Sequence, residues 1–391
     1  MLEQVKVYHF SNSKEGGVFS VIKNLLQFSI NPVVENHIIY TINKEITPHF
    51  ELPHLTGAGS QQIFYFSPKW NFYYTCKQLS KLLPNDTVVI IAHDWLELGM
   101  VSNLGLQNPV VHFLHGDFDY YYALAKRHVH SIDQFIAISP VIDEKLSSVL
   151  PERRQDIHYC RFPVPSIDVD KKENDVLKIF YGVRSLTEER KQFKILPLIK
   201  EQLDPTGIDV QWTVVGAGME KEQIQKLMRG GKGLSIYPAL SNEAFIKELQ
   251  CHDLFLLPSL QEGFPVAVVE AMKAGLVPLI TNWEGATEEL VIEGKTGFVF
   301  SIGNVEGYAN TIAKLDADRF LLSTIRAAAI KKANELFDPF VNTKNIERVI
   351  IQDYYGVKKD KTAFKAYGSR LDKEWIPNAV TKTVREFTGD N

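Results

Sequence analysis

DLFLLPSLQEGFPVAVVEAMKAGLVPLIT, residues 253–281, carries the pattern from which the whole chain is built. Two short apolar runs, DLFLLP (253–258) and LVPLIT (276–281), flank a stretch with helical spacing. Runs that are apolar on both faces suit strands of a parallel sheet covered by helices on both sides. Strand, helix and strand in that order form the repeating unit of such sheets.

The pattern extends in both directions. Upstream, VKVYHF (5–10), HIIYTI (37–42), QIFYF (62–66), TVVIIA (87–92), PVVHFLH (109–115) and QFIAIS (134–139) read as strands, with helical stretches such as GVFSVIKNLLQFS and WLELGMVSNL between them. RFPVPSIDVDKKENDV (161–176), with its prolines and charge run, reads as a linker. The alternation restarts with LKIFYG (177–182), VQWTVVG (210–216) and LSIYP (234–238), and ends in GFVF and helices to about residue 355. The expected domains are 1–165, 176–340 and a tail, 341–391, read as a helix packed outside or crossing back to the first domain. Two doubly wound α/β domains place ligands at the carboxyl ends of their strands, and a pair of facing sheets would put the site in a cleft.

Composition narrows the function classes. The chain has 391 residues, 45% hydrophobic and 23% charged, with a net charge of −4. That charge gives no general attraction to nucleic acid or anionic lipid. Cys76, Cys160 and Cys251 are far apart and odd in number, so no disulfide framework is expected and a reducing, cytoplasmic compartment is. The N-terminus MLEQVKVYHF has no long apolar region, which argues against a signal peptide. KWNFYYTCKQLSKLL (69–83) mixes lysines with aromatics on an expected helix. It reads either as an ordinary surface helix or as a peripheral contact with the inner membrane face.

Within the opening stretch, Glu262 sits beside Gly-Phe-Pro in the loop after a strand, and Glu270 lies inside the following helix. Pro265 fits the first helical turn. The free N–H groups of that turn can receive a phosphate, and carboxylates accept well from vicinal sugar hydroxyls. Glu144 and Glu152 share the same spacing, so spacing alone does not assign the role.

EGFPVAVVEAMKAGLVPLIT, with HDLFLLPS upstream and GATEELVIEGKTGFVF downstream, resembles the donor-binding core of the retaining glycosyltransferases of family 4. Other segments resemble parts of that family in the same order. EGGVFSVIKNLL (15–26) is similar to its glycine loop and first helix. VVHFLHG (110–116) is similar to the strand that carries a histidine near the site, and QFIAISPVIDEKL (134–146) to a strand-Ser-helix element. IFYGVRSLTEERKQF (179–193) resembles the Gly-Arg loop with a later lysine, with Val183 inserted, and WTVVGAGME (212–220) the glycine turn.

The resemblance implies a GT-B fold, with two Rossmann-like doubly wound parallel-sheet domains facing across a cleft. It implies a nucleoside-diphosphate sugar donor, UDP- or GDP-linked, a carbohydrate or lipid-linked acceptor, and no metal or other cofactor. Arg184 and Lys191 would neutralise the leaving diphosphate. Glu262, with Gly263, Phe264 and Val266, would contact the donor, and Glu270 would hold the ribose hydroxyls. Gly16 and Gly17 would let the backbone approach a ligand, and His115 would face the donor sugar or acceptor. His93, in AHDW, ends an equivalent strand and is a weaker candidate.

Other patterns do not discriminate. DFD (117–119), DVD (168–170) and DAD (316–318) all match an acidic metal motif equally. VVGAGMEK has Lys221 where a dinucleotide fold has its third glycine, which weakens a nicotinamide dehydrogenase. A non-catalytic GT-B subunit and a sugar-nucleotide epimerase remain as rivals.

Overall fold

The computed structural model describes residues 4–169, 174–230, 233–283, 287, 289–356 and 360–388. Residues 170–173 of the expected linker, residue 284, and 285, 286 and 288 of the GATEEL stretch lie outside the described residues. The chain divides into two compact units, Met1–Pro163 with Pro339–Asn391, and Val164–Asp338.

The first unit is built on β1 (Val5–Ser11), β2 (Val34–Asn43), β3 (Ser60–Phe66), β4 (Val89–Ala92), β5 (Val110–Leu114), β6 (Gln134–Ala137) and β7 (Ile157–Tyr159). Their order is β3-β2-β1-β4-β5-β6-β7, and every neighbouring pair is parallel. All of Val89–Ala92 and Val110–Leu114 is buried, as a sheet covered on both faces requires. The C-terminal segment is pinned onto the helix Phe72–Ser80. Asn71 Nδ2 donates to the carbonyls of Leu371, Lys373 and Ile376, each at 3.0 Å. Asp372 accepts from Phe72 N–H at 2.6 Å and pairs with Arg385 at 2.7 Å.

The second unit is built on β8 (Leu177–Ser185), β9 (Val210–Ala217), β10 (Leu234–Tyr237), β11 (Leu254–Leu257), β12 (Val277–Thr281) and β13 (Phe298–Phe300), in the order β10-β9-β8-β11-β12-β13. These pairs are also parallel throughout. Lys273 is fully buried and ties the unit's two ends together, donating to Val164 O at 2.7 Å and Phe337 O at 2.9 Å. Burial pushes its ammonium pKa down to about 8.

Both sheets reverse their winding at one point, between β1 and β4 in the first and between β8 and β11 in the second. Loops leaving the two central strands in opposite directions open a crevice at such a point, where open α/β sheets bind ligands. Among the described residues, no helix is long and apolar enough to cross a membrane.

Candidate functional site

In the second unit, the switch point brings the loop after β8 against the loop after β11. Leu260 N–H donates to Arg190 O at 2.7 Å, and Trp283 Nε1 anchors Ser259 O at 2.8 Å. This places the Glu262 carboxylate, 8% exposed, against two cations. Lys191 Nζ lies 2.6 Å from Oε1 and Arg190 Nη1 lies 3.2 Å from Oε2. The Lys191 backbone is held separately. Its N–H donates to Glu188 O at 2.9 Å and its carbonyl accepts from Tyr181 Oη at 3.0 Å. Gln192 follows with φ 54°, a left-handed turn that ends the short helix Glu189–Lys191.

Gly263 and Phe264 are buried in the turn before the helix Val266–Lys273, and the Phe264 ring packs on Phe337 at 5.5 Å. Val266 is the first residue of that helix, and Pro265 stands at its N-cap. Glu270, 7% exposed, accepts from Asn242 Nδ2 at 3.1 Å. Glu262, Lys191 and Arg190 thus form one cluster, and Glu270 lies further along the same loop-helix element. Arg184 is exposed on β8, whereas Arg190, six residues on, is an arginine that reaches Glu262. Sequence reading passed over Arg190, because a cation inside EERKQF carries no sign of its partner.

In the first unit, the switch point holds Gly16, Gly17, His93 and, one strand over, His115. Gly16 has φ 91° and caps the helix Gly17–Phe28, a backbone geometry that favours glycine. His115 follows β5, and its Nε2 lies 2.7 Å from His93 Nδ1. The turn after β4 also borders a cavity of about 750 Å³ whose lining includes Asn12, Trp70, Phe72, Asp94, Trp95 and Tyr367. Rigid aromatic faces beside amide and carboxylate groups suit a polyhydroxylated ligand.

Glu97 closes this turn from below. It is 1% exposed, and its Oε1 accepts from the N–H groups of His93 at 2.7 Å and Asp94 at 2.6 Å. Burial, and then the charge of Asp94, raises its pKa above the usual carboxylate range. A carboxyl raised in the folded state binds more protons there than in the unfolded chain. Its stabilisation is therefore present in acid and is lost as pH climbs from the carboxylate range through neutrality. Glu97→Gln, which keeps the acceptor oxygen, is expected to flatten that decline. Urea unfolding across a pH series reads it, and parallel curves for wild type and variant would dismiss the idea.

Residues 165–335 match the family model described as "Glycosyl transferases group 1". Over 148 residues the chain is 30% identical to the sulfoquinovosyl transferase SQD2 of Arabidopsis thaliana, a match covering 37% of this chain and 28% of SQD2. It is 22% identical over 272 residues to an uncharacterized glycosyltransferase of Haemophilus influenzae, covering 66% of this chain and 75% of that one. Among solved structures, Anabaena Alr3699/HepE in complex with UDP and glucose superposes with a TM-score of 0.71 at 16% identity, over 89% of this chain and 100% of that one. The chain spans 28%, 19% and 36% of the lengths of three curated relatives, SQD2 among them. The second unit thus carries the region that matches the glycosyl transferases group 1, in a chain whose two parallel sheets have the GT-B fold.

Proposed function

We propose that the chain is a retaining glycosyltransferase, moving a hexose from a nucleoside-diphosphate sugar to an acceptor hydroxyl in glycan, polysaccharide or glycolipid synthesis. The observation that carries this reading is the Lys191–Glu262–Arg190 cluster, set in the loop that leads into the helix Val266–Lys273 at the switch point of the second sheet. Its relatives are named as transferases of sugars, and the HepE structure holds UDP and glucose, which supports the same donor chemistry here.

In the proposed reaction, the acceptor oxygen attacks the anomeric carbon from the side of the departing diphosphate. The C–O bond to the diphosphate breaks, and a phosphate oxygen takes the acceptor proton. Configuration at the carbon is kept. Negative charge grows on the leaving group, and Lys191 and Arg190 are the cations placed to stabilise it. Glu262 orients both cations and offers its oxygens to the hexose hydroxyls. Glu270 has the chemistry to accept from ribose hydroxyls. The aromatic-lined cavity of the first unit is proposed for the acceptor.

A panel of UDP- and GDP-sugars, followed by calorimetry and slow donor hydrolysis, tests this reading. At least one donor should bind and hydrolyse, and Glu270→Ala should weaken its binding about 10-fold, the loss of one charge-assisted hydrogen-bonding site. Binding without hydrolysis or transfer would favour a non-catalytic GT-B subunit, and no binding by any donor would sink the reading.

A further inference from the structure

The sheet order β2-β1-β4-β5 aligns four polar side chains in a row across the strands: Asn36 on β2, His9 on β1, His93 just past β4 and His115 just past β5. Asn36 Oδ1 lies 3.1 Å from His9 Nε2, His9 Nδ1 lies 3.4 Å from His93 Nε2, and His93 Nδ1 lies 2.7 Å from His115 Nε2. The His9 and His93 rings are within 15° of parallel. Asn36, His9 and His93 are 6%, 1% and 3% exposed, so these contacts are made away from water. Burial lowers the His9 pKa to about 4 and the His115 pKa to about 3, and takes His93 well below its ordinary value. All three rings are neutral near pH 7, each with one N–H and one lone pair.

The direction of the chain follows from its end. An amide oxygen can only accept, so His9 carries its proton on Nε2 and has a bare Nδ1. That lone pair needs the proton of His93 Nε2, which leaves His93 Nδ1 bare. His93 Nδ1 in turn takes the proton of His115 Nε2. One asparagine therefore decides the protonation pattern of three histidines.

We propose that Asn36, His9 and His93 are positioning residues that hold His115 as its Nε2–H tautomer, so that its Nδ1 presents a lone pair to a hydroxyl of the sugar substrate. This rests on the glycosyltransferase reading above. His115 then accepts from hydroxyl groups, and the same nitrogen disfavours phosphate or carboxylate oxygens, which have no proton to give. The chain acts through His115 and none of its other members needs to touch substrate.

The test is a long-range proton–nitrogen correlation spectrum of the full, histidine-labelled protein near neutral pH, with kinetics on two variants. Wild type should show His115 protonated at Nε2 and bare at Nδ1. His93→Leu should release that preference, leave both His115 tautomers populated and lower kcat about 10-fold, the cost of one lost buried hydrogen bond. His93→Gln, whose amide can accept from His115 and donate to His9, should restore the single tautomer and keep kcat within about 3-fold, under 1 kcal/mol. A wild-type His115 protonated at Nδ1 overturns the proposal, and so does a His93→Leu protein that keeps the single Nε2–H tautomer. If His93→Leu fails to fold, the wild-type spectrum still decides. A protein with the stated tautomer that processes no nucleotide sugar refutes the proposed function instead, so the two failures are distinguishable.

Discussion

Lys191→Ala should lower kcat for sugar transfer by roughly 10²–10³-fold, the usual cost of deleting one pre-placed group that stabilises a developing oxyanion. The fold should survive, because Arg190 still pairs with Glu262 and the backbone bonds of Lys191 are untouched. Its N–H bond to Glu188 and its carbonyl bond from Tyr181 are both kept by alanine. What is lost is the ammonium 2.6 Å from Glu262. Lys191→Arg should recover part of the rate, since charge is restored but the compact shape of the ammonium is not. Donor affinity should fall less than turnover, because the charge Lys191 would meet grows only as the sugar–phosphate bond breaks. Single-turnover kinetics with a saturating donor separates the two effects. A Lys191→Ala protein with wild-type kcat would remove Lys191 from the chemistry and take the proposed site with it.

The two cations paired with Glu262 show what sequence reading could and could not see. Lys191 was singled out through a family resemblance, whereas Arg190, in contact with the same carboxylate, was not. In SLTEERKQF each charge reads as an ordinary solvated group. Bonds across about 70 residues of chain, from Leu260 N–H to Arg190 O and from Arg190 Nη1 to Gln261 O, bring Arg190 to Glu262. The strands were far more legible. A fully buried strand such as Val89–Ala92 must be apolar on both faces, and that requirement is written into consecutive residues. WLELGMVSNL likewise read as a helix and forms one, Trp95–Leu104. Ile157–Tyr159 escaped notice because only Ile157 of its three residues is fully buried, whereas the equally short Phe298–Phe300 is an apolar run. The histidine row was invisible for a different reason. Its members are 84 and 22 residues apart along the chain, and only the strand order makes them neighbours. Local pattern thus identifies elements, while partners depend on topology.

Topology also sets the stability of the element that presents Glu262, and this gives the second large effect. Asp253 begins the turn into β11 and is 1% exposed. Its carboxylate accepts from Lys178 N–H at 3.0 Å and Asn174 Nδ2 at 2.9 Å, and pairs with Arg326 Nη2 at 2.8 Å. Arg326, 9% exposed, comes from the helix Arg319–Leu336. Arg326→Leu should therefore destabilise the second unit by about 3–5 kcal/mol, because it leaves a buried carboxylate without its countercharge. That is a large part of the ~5–15 kcal/mol that holds a typical domain. The companion change Asp253→Asn should recover a substantial part of the loss, since the amide oxygen still accepts from Lys178 N–H and no charge remains to be buried. The recovery separates an unpaired-charge effect from lost packing of the arginine stem. Urea unfolding of Arg326→Leu and of the double variant reads both. A single variant that loses less than about 1 kcal/mol, the scale of an exposed pair, would show that Asp253 does not depend on this arginine. A double variant no more stable than the single one would assign the loss to packing.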